Sequence, residues 1–121
     1  MRDRKKPVLV LDDDRGLSKS LERLLLQHGY DVIAFDCPET LSTYGNVKNA
    51  LCLIIDFNLN GASGLDVFHQ LRRSGIKTPV IFVTGNDSVA NRTAAVDAGC
   101  IAYLTKPFPP QALIDSLRKV S

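Results

Sequence analysis

Leu51-Cys52-Leu53-Ile54-Ile55-Asp56 is the stretch that decides the fold. Its apolar residues run without alternation into one carboxylate. A strand with one face in water alternates apolar and polar side chains. A run without alternation is buried on both faces, the condition of a strand in a parallel sheet covered by helices. Asn58, Asn60 and Gly61 follow, all turn formers, so Asp56 stands where the buried strand surfaces. Open parallel sheets bind ligands outside the carboxyl ends of their strands. What matters in the rest of the chain is what it brings to that edge.

Upstream, Val8-Leu9-Val10-Leu11 is a second apolar run, and it ends in Asp12-Asp13-Asp14. Leu17, Leu21, Leu24, Leu25 and His28 then recur at the spacing of one helix face. Asp13 or Asp14 can cap that helix and Gly29 can end it. One aspartate is enough for a cap, and three exceed that need. Val32 to Phe35 reads as a short strand. Pro38 to about Tyr44 reads as a short, loosely packed helix with proline in its first turn, and residues 45–49 as loop.

Downstream, Ser63-Gly64-Leu65-Asp66 has capping-box spacing, with Asp in place of Glu. Leu65, Phe68 and Leu71, with Val67 beside them, mark a helix that ends near Ser74-Gly75. His69 falls off that stripe, as a surface histidine does. Thr78-Pro79 leads into Val80-Ile81-Phe82-Val83, which ends in Thr84-Gly85-Asn86-Asp87. An alanine-rich helix from about Ser88 to Ala98 follows, closed by Gly99 and expected to pack lightly. Ile101 to Thr105 is the fifth strand, Lys106-Pro107-Phe108-Pro109-Pro110 a rigid turn, and Leu113, Leu117 and Val120 mark the last helix. Strand and helix alternate with short loops. That predicts a parallel sheet with helices on both faces, an α/β doubly wound domain over residues 1–121.

Composition sets limits on function. The 121 residues are 45% hydrophobic, enough for a real core, and the net formal charge of +2 is too weak to argue for direct nucleic-acid binding. The three cysteines, Cys37, Cys52 and Cys100, are an odd count without a secretory signal, which fits free buried thiols in the reducing cytoplasm. No apolar run approaches the about 20 residues of a membrane helix. Arg2-Asp3-Arg4-Lys5-Lys6 reads as a solvated lead-in to the first strand.

The strand ends carry the chemistry. The first offers Asp12 and Asp13, the third Asp56, the fourth Thr84, and Lys106 follows the fifth. In a flavodoxin-like sheet of order 2-1-3-4-5 the first and third strands are neighbours. Three carboxylates brought together repel, so one is protonated or a cation neutralises them. All-oxygen ligands favour a hard ion, Mg2+, with Mn2+ as a substitute. The site has neither a Ser, Cys or His nucleophile paired with a base nor a Walker-type phosphate loop. A carboxylate beside a metal, a lysine and a hydroxyl is suited to accept a phosphoryl group as an aspartyl phosphate.

At this point the chain resembles the receiver domain of two-component response regulators, the CheY-like family. The matching pieces are Val-Leu-Asp-Asp-Asp at 10–14, Leu-Ile-Ile-Asp at 53–56, Gly-Ala-Ser-Gly-Leu-Asp at 61–66, Pro-Val-Ile-Phe-Val-Thr-Gly at 79–85 and Ala-Gly-Cys-Ile-Ala-Tyr-Leu-Thr-Lys-Pro-Phe at 98–108. The resemblance implies that Asp56 is the phospho-acceptor, that Asp12, Asp13 and Asp56 hold the metal with the Asn58 backbone carbonyl, and that Lys106 contacts the phosphoryl group. It further implies that Thr84 is the switch hydroxyl, Tyr103 an aromatic rotamer switch, and Lys106–Pro107 a cis peptide. A histidine kinase or phosphotransfer protein would be the donor. The fourth helix, fifth strand and fifth helix would carry the altered surface, and Tyr103 would swing inward. The domain would be no enzyme beyond self-catalysed phosphorylation and autodephosphorylation, and either a monomer or a homodimer promoted by phosphorylation.

Asn60 and Ala62 stand where Pro and Met are frequent in that family, which predicts a looser, less apolar loop after Asp56. Thr84-Gly85 resembles the FixJ-type branch and points to a helix-turn-helix, DNA-binding output domain beyond this chain. Rival readings are a pseudo-receiver that serves as an unphosphorylated interaction module, an aspartate-nucleophile phosphatase, and a flavodoxin-like nucleotide binder. The phosphatase wants a second aspartate where Asn58 stands. The nucleotide binder wants a phosphate loop where Asp12-Asp13-Asp14 stands.

Overall fold

The computed structural model describes residues 6–120. The charged lead-in at residues 2–5 and Ser121 lie outside the described residues. The elements are β1 (Val8–Leu11), α1 (Arg15–Gln27), β2 (Val32–Phe35), α2 (Pro38–Tyr44), β3 (Cys52–Asp56), α3 (Gly64–Arg73), β4 (Val80–Thr84), α4 (Val89–Ala98), β5 (Ala102–Thr105) and α5 (Pro110–Arg118). The strands form one five-stranded sheet in the order β2-β1-β3-β4-β5, every pairing parallel. This is the α/β order expected, with the first and third strands adjacent at its centre.

The three inner strands are buried at every residue, which is why their sequences show no alternation. Their side chains still point alternately to opposite faces. Val8, Val10, Cys52, Ile54, Ile81 and Val83 pack with Leu21 and Leu25 of α1 and Leu113, Ile114 and Leu117 of α5. Leu9, Leu11, Leu53, Ile55, Val80 and Phe82 pack with Leu41 of α2, Val67 and Phe68 of α3 and Ala95 of α4. The outer strands β2 and β5 are only partly covered. The helix signals hold: Asp14, not Asp13, caps α1 through the Leu17 N–H, Ser63 caps α3, and Ser88 caps α4.

Several local readings change. His28 is exposed, its Nδ1 lying 3.0 Å from the Leu24 carbonyl, so it caps a helix end and does not extend the apolar stripe. The loop read over residues 45–49 contains a 3-10 turn, Val47–Asn49, with Val47 buried and its carbonyl accepting the Thr78 hydroxyl at 2.8 Å. The loop after Asp56 is not loose. Asn58–Leu59 and Ala62–Ser63 pair as a small antiparallel ribbon, with Phe57 and Leu59 buried beneath it. Gly61, at φ 68°, supplies the positive backbone angle between the paired residues. β5 begins at Ala102, one residue later than read. Only Cys52 of the three free cysteines is fully buried, and burial pushes its thiol up to about 12; Cys37 and Cys100 are half-exposed. Among the described residues no helix is long and apolar enough to cross a membrane.

Candidate functional site

Strand register assembles the site. Leu11 pairs with Ile55, so Asp12, the next residue along β1, leaves the sheet level with Asp56. Asp56 pairs with Val83, which places Thr84 one step beyond it on β4. Thr84 pairs with Thr105, and Lys106 follows. The sequence-predicted Asp12, Asp13, Asp56, Thr84 and Lys106 therefore share one edge, separated by single steps of the ladder.

The Asp12, Asp13 and Asp56 carboxylates each offer an oxygen within 4.8 Å of the others. Asp12 and Asp56 are buried, and Asp13 is half-exposed. Each has one oxygen already fixed by a backbone N–H. Asp14 donates to Asp12 at 2.9 Å, Asn58 to Asp56 at 3.0 Å, and Asn60 to Asp13 at 2.7 Å. The Lys106 ammonium reaches Asp56 Oδ2 at 3.2 Å and Asp12 Oδ2 at 3.5 Å. One cation against three carboxylates leaves an excess of negative charge. Burial accordingly holds the Asp12 carboxyl above its ordinary value. The Asp56 charge adds to that rise, and the Asp14 N–H and Lys106 oppose it. An all-oxygen, multiply anionic cluster with pinned carboxylates fits a small hard divalent cation.

Thr84 is fully buried, yet its hydroxyl faces away from Asp56 in its bonding. It donates to Asn58 Oδ1 at 2.9 Å and accepts the Asn86 N–H at 3.0 Å. Asn58 thus touches Asp56 through its backbone and Thr84 through its side chain. Tyr103, on β5, is half-buried. Its ring meets Phe57 edge-on at a centroid distance of 5.8 Å, and the Arg92 guanidinium lies over the ring, 4.9 Å from its centroid. The Tyr103 hydroxyl is enclosed, near Asp87 but without a hydrogen bond of good geometry. Its pKa is raised, chiefly by burial and then by Asp87. Arg92 also pairs with Asp87 at 2.9 Å. The Lys106–Pro107 peptide is cis.

Sequence reasoning missed three contributors. Gly64 was read only as part of a cap, but a Cβ there would lie 2.2 Å from the Asp56 carbonyl oxygen. Only glycine lets α3 start so close to the strand end that carries Asp56. The Asn58 side chain and the Arg92–Asp87 pair were invisible because their partners are spatial. Gly85, by contrast, is free of such demands: a Cβ there would be 3.9 Å from Lys106 Cδ, an ordinary contact.

The parallel sheet carries this acid cluster and lysine at the ends of its strands, and the chain belongs to the response regulator receiver domain family, which it matches over residues 8–118. It is 32% identical to the response regulator protein TodT of Pseudomonas putida, over 98% of this chain and 52% of that protein. The chain spans about half the length of the curated relatives it matches. Its fold is similar to the FixJ-N crystal structure (TM-score 0.85, 27% identity), covering 99% of this chain and 94% of that one. It is also similar to a Burkholderia pseudomallei response regulator crystallised with a phosphorylated aspartic acid, calcium ion and citrate (TM-score 0.81, 29% identity), covering 93% of this chain and 66% of that one.

Proposed function

We propose that this domain is a phospho-acceptor switch of a two-component system, with Asp56 as the acceptor. The observation that carries the reading is the convergence on Asp56 of a lysine ammonium and two further carboxylates, with the buried Thr84 one step along the neighbouring strand. An Asp56 oxygen attacks phosphorus. The bond from phosphorus to the donor nitrogen of a histidine kinase or phosphotransfer protein breaks, its electron pair leaves with the donor, and an acyl phosphate remains on Asp56. Lys106 already lies against Asp56 Oδ2 and offsets charge on the transferred group. Asp12, Asp13 and Asp56, with the Asn58 main-chain carbonyl, would hold Mg2+ or Mn2+, which when bound supplies positive charge to the phosphoryl oxygens.

Phosphorylation replaces a carboxylate by a larger, more highly charged group with three acceptor oxygens. Thr84 turns toward it, the half-buried ring of Tyr103 swings inward, and the α4, β5 and α5 face changes. That face addresses a DNA-binding output domain or a second copy of the chain. The domain is otherwise no enzyme beyond its own phosphorylation and autodephosphorylation, and it works in the cytoplasm. The relative with a phosphorylated aspartic acid supports this reading. The presence of all the charged groups favours it over an interaction module that is never phosphorylated.

Intact mass after incubation with acetyl phosphate tests the proposal. One phosphoryl adduct that requires Mg2+ and disappears in Asp56→Asn is the expected result. A folded wild-type protein that takes up no phosphoryl group would overturn it.

A further inference from the structure

We infer that the Asn58 side chain is a positioning residue, the group that holds Thr84 in the resting state and so sets how readily Asp56 is phosphorylated. The inference rests on the phospho-acceptor reading of Asp56. A threonine hydroxyl has a single proton to donate. Thr84 spends it on Asn58 Oδ1 at 2.9 Å, while its oxygen accepts the Asn86 N–H at 3.0 Å. The hydroxyl cannot donate to an oxygen on Asp56 until it lets go of Asn58. The two partners then fare differently. Asn58 is exposed, so its freed carboxamide passes to water at little cost. Thr84 is fully buried, so its proton has no solvent to turn to and needs another acceptor.

The bond is also one link of a short polar chain that runs from Asp56 to α4. The Asn58 N–H binds Asp56 and the Asn58 carboxamide binds Thr84. The Thr84 hydroxyl binds the Asn86 N–H, and the Asn86 carbonyl accepts Asn91 Nδ2 at 3.1 Å, in the first turn of α4. Releasing Thr84 from Asn58 therefore loosens the seat of α4. With Asn58→Ala the resting state keeps a buried donor without an acceptor, and that penalty vanishes once a phosphoryl oxygen is present. Loss of this side chain thus favours the phosphorylated arrangement. The backbone bond from residue 58 to Asp56 is untouched by the change.

The test uses beryllofluoride with Mg2+ as the phosphoryl stand-in and amide NMR on the whole chain. Asn58→Ala is expected to bind beryllofluoride about fivefold more tightly than wild type, the scale of one neutral hydrogen bond. In the resting, Mg2+-free protein the Asn86 amide and Asn91 carboxamide signals should move part of the way toward their wild-type beryllofluoride positions. On a Thr84→Val background the same Asn58 change should do nothing to affinity, because its effect runs through the hydroxyl. Unmoved Asn86 and Asn91 signals, an unchanged affinity, or an equal gain on the Thr84→Val background would each overturn the inference and leave the phospho-acceptor reading standing. A folded wild type that takes up no beryllofluoride overturns that reading, and the inference with it.

Discussion

Helices α3 and α4 are equally long, ten residues each, and pack on the same face of the sheet, yet they are attached by different physics. α3 buries Val67 and Phe68. The Phe68 ring meets Phe82 edge-on at 5.7 Å, and the Arg72 guanidinium covers it at 4.4 Å. α4 buries only Ala95 and leaves Val89 84% and Val96 60% exposed. What fastens α4 is polar: the Asn91 to Asn86 bond, the Arg92 to Asp87 pair, and Arg92 over the Tyr103 ring. Apolar burial gives α3 a fixed position, and through Gly64 that position fixes the strand end carrying Asp56. The polar fastenings of α4 begin at Thr84, so they can be rearranged by an event at Asp56 without disturbing the core. Under the proposed function, α3 would be the foundation and α4 the reporter.

The largest expected effect comes from breaking the foundation. Phe68→Ala should cost about 3–5 kcal/mol in denaturant unfolding, because a fully buried ring is replaced by a cavity. Gly64→Ala comes next. Its Cβ would meet the Asp56 carbonyl oxygen at 2.2 Å, a backbone atom that yields only if the strand end shifts. A loss of about 1–3 kcal/mol and slower phosphorylation by acetyl phosphate are expected together.

Asp12→Asn should act in the opposite direction, raising the stability of the Mg2+-free protein by roughly 1 kcal/mol, as relief of charge strain at a functional site does. The sign follows from the raised carboxyl of Asp12. A folded-state value above the unfolded one means the native protein binds the extra proton first, so this group stabilises the fold as pH falls from its raised value toward 3.8. The asparagine variant should lose that pH dependence, and added Mg2+ should raise its melting temperature less than that of wild type. Smallest of all, Val96→Ala on the exposed side of α4 should stay within about 0.5 kcal/mol of wild type. A Val96 effect as large as that of Phe68 would erase the distinction between the helices.

Much of this was legible in the chain. Unbroken apolar runs could only be inner strands, and the acids at the ends of β1 and β3 had to meet once those strands were neighbours. The alanines of α4 announced its thin packing. The ribbon after Asp56 was not legible, because two-residue pairs carry no periodicity and its turn residues looked like open loop. Nor could spacing show that His28 folds back on the Leu24 carbonyl, since a histidine at a stripe position can bury its ring or cap with it. The bond between Asn58 and Thr84 joins residues far apart in sequence through side-chain atoms, and only coordinates reveal it.

Hydrogen exchange read by mass spectrometry, with and without Mg2+ and beryllofluoride, bears most directly on the division between foundation and reporter. Altered protection is expected across β4, α4 and β5, with α3 and the body of α1 unchanged. Equal changes in α3 and α4, or an α4 that stays the same while beryllofluoride is bound, would contradict the account.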